Sequence, residues 1–174
     1  MIRLLRGDLS EAPAEAIFHP IRSDGAPITS VGRRLETRAG PKVAERVAAQ
    51  GDFPVGTAFL TPGGDTAADF LIHLVLQSPE EPMGPQVLER ALRNGLRRAS
   101  DFGIDSVALP PLGTGAGQLG VEESAGRVIP ILAEHLAGGR PPGTFLVVTE
   151  SAFDETAVRE ALEALAPGLM EPAS

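Results

Sequence analysis

The stretch Ser106 to Gly120, SVALPPLGTGAGQLG, constrains this chain more than any other. An apolar run, Val107-Ala108-Leu109, meets Pro110-Pro111 and then a turn carrying Gly113, Gly115, Gly117 and Gly120. Val121-Glu122-Glu123-Ser124 follows and opens an apolar-periodic segment. The order reads as buried strand, glycine loop, helix. A loop this rich in glycine lets backbone N–H groups converge beside a helix N-terminus, which carries partial positive charge. That is an anion site, and the anion most often found in one is phosphate. The plainer reading of the same residues is a turn that only joins strand to helix.

The rest of the composition narrows the partners. A length of 174 residues favours one domain with a sizeable core, here residues 1–166, followed by a flexible tail at 167–174. The formal net charge is -8, without a run of basic residues, which disfavours nucleic acid as a partner. There are no cysteines, and His19, His73 and His135 are far apart, so neither a metal site nor a disulfide framework is expected. No apolar run approaches the length of a membrane span, and the N-terminus does not read as a signal peptide. The expectation is a cytoplasmic monomer.

Taken in order, Ile2–Leu5 reads as a strand ended by Gly7-Asp8, and Ala16–His19 as a second, buried one. Residues 20–27 are expected as loop. Helical spacing covers Ser30–Ala39 and, beyond Gly40-Pro41, Lys42–Gln50. Strands follow at Thr57–Thr61 and Phe70–Leu76, with no helix between them. A helix opens at Pro85, the glycine-loop strand is Ser106–Leu109, and a helix over Glu122–Leu136 is expected to kink or break at Pro130. Phe145–Thr149 and Asp154–Leu165 close the series as strand and helix. Alternating strands and helices predict an α/β fold, a three-layer α/β/α sandwich, and the paired strands at 57–61 and 70–76 make its central sheet mixed. Ligands in such sheets bind at the carboxyl ends of the strands, where the glycine loop lies.

Together these segments resemble the macro domain, an ADP-ribose-binding α/β/α module. The resemblance rests on Gly7-Asp8-Leu9 after the first strand and on Leu109-Pro110-Pro111-Leu112-Gly113-Thr114-Gly115-Ala116-Gly117. Ala39-Gly40-Pro41, Val55-Gly56-Thr57-Ala58 and Ile72-His73 add to it. It implies ADP-ribose or an ADP-ribosylated protein as partner, and no cofactor. By the resemblance, Asp8 accepts a hydrogen bond from the adenine amino group and the Leu9 amide meets a ring nitrogen. Gly113, Thr114, Gly115, Ala116 and Gly117 wrap the diphosphate and distal ribose, and Phe153 lies against adenine. The residues themselves leave two alternatives open: Asp8 as the cap of a turn, and Phe153 as a core anchor for the last helix.

The second phosphate loop departs from the family. Its pattern is Asn-Ala-Ala-Asn, a spacer, several glycines and Val-Asp-Gly. Here His19 and Arg22 stand at the two asparagines, Pro27-Ile28-Thr29-Ser30 at the glycine run, Val31 at the valine and Gly32 at the acid. A second branch, the terminal ADP-ribose glycohydrolases, starts His-x-Ile-x-x-Asp, matched by His19, Ile21 and Asp24. Its catalytic lysine and aspartate fall near Thr61 and Gly117. Both catalytic sets are therefore missing. His19, Arg22, Ser30 and Val31 are expected to contact ligand, Arg22 by bidentate pairing with a phosphate. The candidate catalytic groups are His19, as a base with a pKa near neutrality, and Asp24. The plain alternative makes His19 a packed strand-end residue and Arg22 a solvated charge.

Binding of ADP-ribose or a related nucleotide, with weak or no hydrolysis, is thus the leading expectation. A hydrolase with a non-standard catalytic set, acting on modified proteins or on O-acetyl-ADP-ribose, is the alternative. Gly115-Ala116-Gly117-Gln118-Leu119-Gly120 also fits a dinucleotide-binding G-x-G-x-x-G, but no acid follows at the required spacing. A partner-binding module that has lost its ligand is the remaining possibility.

Overall fold

The computed structural model describes residues 1–115 and 119–171. The strands β1 (Ile2–Arg6), β2 (Ala16–Arg22), β3 (Ala58–Pro62), β4 (Phe70–Gln77), β5 (Ser106–Leu109) and β6 (Thr144–Thr149) form one sheet in the order β1-β6-β5-β2-β4-β3. All neighbours run parallel except β3, which is antiparallel to β4. Helices α1 (Ser30–Ala39) and α2 (Pro41–Ala48) cover one face, and α3 (Pro85–Asp101), α4 (Val121–Ala137) and α5 (Ala152–Leu165) the other. The expected three-layer sandwich with a mixed sheet is what forms. Alternation along the strands divides the core between the faces. In β2, Ala16 and Phe18 pack toward α3 and α4, while Ile17 packs toward Leu35 of α1 and Val43 of α2.

Three expectations need correction. First, β2 continues through Pro20 to Arg22, where a loop was expected. β2 pairs with β5 only at Ala16 and Ile17, and the flank away from β4 is engaged again only at Ile21 and Arg22, by the turn back to Ala26 and Pro27, so it is open at Pro20. A proline, lacking its N–H, is tolerated where a flank is open. Second, of the kink or break expected at Pro130, the break does not occur: α4 continues past it to Ala137. Pro130 and Gly126, whose carbonyl loses its partner, both lie on the solvent face, where water can bond that carbonyl. Third, the tail expected from residue 167 is fastened as far as 171. Ile2 donates to the Leu169 carbonyl at 2.7 Å and accepts from Glu171 at 3.0 Å, and Arg3 pairs with Glu171.

Candidate functional site

Parallel strands splay apart at their carboxyl ends where the chain order reverses, and here β5 and β2 part at Pro110-Pro111 and Pro20. The cleft that opens has a volume of about 160 Å³. Its walls bring together Leu9, Ser30, Val31, Gly113, Thr114 and Gly115 from the expected set.

The glycine loop forms one wall. Gly113 and Gly115 have φ of +76° and +100°, values that L side chains rarely adopt. The Leu119 amide donates to the Gly113 carbonyl at 2.9 Å, and Thr114 Oγ1 donates to the Pro111 carbonyl at 3.0 Å. The Ser124 hydroxyl, on the first turn of α4, donates to the Leu112 carbonyl at 2.6 Å and fixes the loop to the helix. Ala116 and Gly117 lie outside the described residues.

The first turn of α1 forms the opposite wall. Thr29 caps it, its Oγ1 accepting from the Gly32 amide at 3.0 Å. That leaves the amides of Ser30 and Val31, early in the helix, without intrahelical acceptors. The walls meet at Gly115, where a Cβ would stand 3.1 Å from Thr29 Cγ2. This approach accounts for the small volume and for glycine at position 115.

At the β1–β6 end, Asp8 caps a short 3-10 turn, Leu9–Glu11. Its Oδ1 accepts from Ser10 Oγ at 2.7 Å and from the Ser10 amide at 2.8 Å. These two bonds, hydroxyl first, hold the carboxyl below its ordinary pKa, and Arg34 and Arg38 add positive field. The capping role is therefore realised. Leu9 is buried and lines the cleft. Arg34 of α1 pairs with Glu150 after β6, which also lines this end with Asp154. Phe153 is 73% exposed beside them, so it does not anchor the core, and it does not line the cleft.

His19, Arg22 and Asp24 are not brought into the cleft. Arg22 begins a tight turn in which its amide donates to the Ala26 carbonyl at 2.8 Å. Its guanidinium is exposed and bonds Asp24 Oδ2 at 2.8 Å, so the expected phosphate contact is not formed by this geometry. His19 is 2% exposed and lies on the α1–α2 side of the sheet. Its Nδ1 is 3.1 Å from His73 Nδ1, and His73 Nε2 is 2.8 Å from Thr61 Oγ1. His73 stacks on Phe59, with ring centroids 4.7 Å apart. Burial lowers the His19 pKa to about 4, and burial, then the neighbouring His19, puts His73 well below its ordinary value. A neutral, buried imidazole behind the cleft wall is not a base poised near neutrality, which corrects the expectation for His19.

Sequence reasoning missed the pairing of the two histidines. Its signal was register: β2 and β4 are parallel and place His19 opposite His73. It also missed Ile28, Leu76 and Met83 on the cleft wall, whose types carry no chemical signature, and Gln77 and Glu150, which strand ends bring there.

The macro domain family model matches residues 19–128. The chain belongs to the macro domain family. Its relatives include an uncharacterized protein of Aeropyrum pernix, 36% identical, the match covering 90% of this chain and 84% of that one. A macro domain-containing protein of Caldanaerobacter subterraneus is 25% identical over 79% of this chain and 82% of its own length. Among solved structures, a macrodomain variant of Oceanobacillus iheyensis with ADP-ribose superposes with a TM-score of 0.82 at 20% identity, over 95% of this chain and 92% of that one. A Trypanosoma brucei macrodomain in complex with ADP gives 0.81 at 17%, over 91% and 67%. At Gly32, the position the resemblance sets at the acid, a Cβ would stand 3.3 Å from Pro27 Cβ and 3.4 Å from His19 Nε2 and Thr29 Oγ1.

Proposed function

We propose that this macro domain binds ADP-ribose, free or attached to a protein, in the cleft between the glycine loop and α1, with slow or no hydrolysis. The observation that carries the reading is the approach of Gly115 to Thr29. It sets the glycine loop against the amides of Ser30 and Val31, which have no acceptor among the described residues, so a diphosphate between them is solvated from both sides. Backbone amides suit a chain of net charge -8, which recruits phosphate without a basic surface. ADP-ribose bound to the Oceanobacillus iheyensis macrodomain supports the ligand class.

Adenine fits the Asp8–Leu9 end, where Asp8 Oδ2 has no protein donor among the described residues and Phe153 stands exposed at the rim. A site of about 160 Å³ is smaller than drug-sized ligands occupy, so ADP-ribose would require the walls at Gly115 and Thr29 to separate.

Slow turnover follows from the same wall. General acid–base groups contribute on the order of 10²–10⁴ in rate. The acid position is a packed glycine, His19 and Asp24 line a separate cavity, and the cleft acids Glu150 and Asp154 lie at the far, β6 end. Thermal denaturation with added ADP-ribose and AMP tests the reading. ADP-ribose should raise the melting temperature by mass action, and AMP less.

A further inference from the structure

The fold holds a second cavity, of about 350 Å³, on the other side of the cleft wall, between β2, β4, α1 and α2. One part of its lining is apolar, with Val43 and Val47 from α2 and Leu71 from β4. The other part is polar and holds His19 and Glu36. His19 Nε2 and Glu36 Oε2 are both buried atoms with no hydrogen-bond partner among the described residues. Buried polar groups are nearly always bonded, so two orphans on one cavity call for an occupant.

The chemistry of the lining selects its class. The lining residues include the carboxyls of Glu36 and Asp24 and no lysine or arginine. Asp24 is already engaged by Arg22 and by the Ala26 amide. Glu36 has no such partner. Its carboxyl is pushed above the usual range by burial alone, and a cation beside it would relieve that penalty. His19 is neutral, and its Nδ1–H can donate to His73 Nδ1 while His73 Nε2–H donates to Thr61. In that tautomer Nε2 of His19 is an acceptor. The polar part then presents one carboxylate and one imidazole lone pair, next to an apolar wall. We infer that this cavity binds a small organic ammonium: a primary amine donates to Glu36 and His19 while its hydrocarbon body packs on Val43, Val47 and Leu71. The site lies outside the cleft, and the inference does not rest on what the cleft binds.

Benzylammonium and its neutral analogue benzyl alcohol are suitable probes, followed by amide NMR shifts of the full chain without nucleotide. Benzylammonium should give saturable shifts centred on Gly32, Ala44 and Val47, with a millimolar or tighter Kd, and benzyl alcohol should bind at least about tenfold more weakly. Glu36→Gln removes the charge at an unpartnered carboxyl and should weaken benzylammonium at least about tenfold. Ala44→Leu, at a half-buried position, should occlude the cavity in a chain that unfolds as cooperatively as the wild type. Absence of saturable shifts at 20 mM (about the upper end of weak binding), equal binding of the two probes, or unchanged binding in Glu36→Gln would overturn the site. Unchanged binding in a folded Ala44→Leu would place it elsewhere and overturn it too.

Discussion

The Nδ1 atoms of His19 and His73 lie 3.1 Å apart on neighbouring parallel strands, each ring buried and neutral. The pair belongs to an internal hydrogen-bonded network that ends on Thr61. It backs the first turn of α1 instead of entering the cleft.

The pair makes stability depend on pH. His19 titrates near 4 when folded and at its ordinary value of 6.5 when unfolded. Between those values the unfolded chain binds the proton more tightly, so stability is full above pH 6.5 and falls as pH drops toward 4. At 1.36 kcal/mol per pKa unit the loss is on the order of 3 kcal/mol. Denaturant melts of the wild type should weaken between pH 7 and 5 more steeply than those of a His19→Leu/His73→Leu variant. Parallel pH curves for the two would show that the histidines are not buried as a neutral pair.

Gly115→Val places a β-branched residue at a φ of +100°, with its Cβ 3.1 Å from Thr29 Cγ2. Strain of about 1–3 kcal/mol is expected at such a conformation. ADP-ribose binding should fall at least about tenfold in calorimetry while the far-ultraviolet spectrum stays native. Wild-type affinity in this variant would reduce the loop to a connector.

Restoring the family acid by Gly32→Asp should not restore hydrolysis. The new Cβ meets Pro27, Thr29 and His19 at 3.3–3.4 Å, and overpacking costs about 1–3 kcal/mol. A lower melting temperature and no gain in ADP-ribose release from modified protein are the expected results. A stable and active variant would show that the acid alone was missing.

Arg22→Ala should change ADP-ribose affinity less than about twofold, since the guanidinium pairs with Asp24 outside the cleft. Exposed pairs of this kind contribute about 0–1 kcal/mol to stability. A tenfold loss of binding would bring Arg22 back into the site.

Much of this was legible in the chain itself. The strand–helix alternation and the successive strands β3 and β4 are local patterns, so the sandwich and its antiparallel edge could be read directly. The glycine loop was legible because its backbone conformation, with positive φ at Gly113 and Gly115, needs the residue type that signals it. What stayed hidden depends on distant partners. Pro20 reads as a strand breaker until β5 is seen to leave that flank open. Arg22 reads as a phosphate ligand until the turn back to Ala26 carries it outward. Residues 169–171 read as tail until β1 offers its edge to them.

The central claim is a diphosphate held between the glycine loop and α1, and calorimetric titration with ADP-ribose tests it most directly. One-to-one saturable binding is expected, with AMP at least about tenfold weaker because it lacks the second phosphate and the distal ribose. Equal affinity for the two, or no heat of binding at millimolar ADP-ribose, would contradict it.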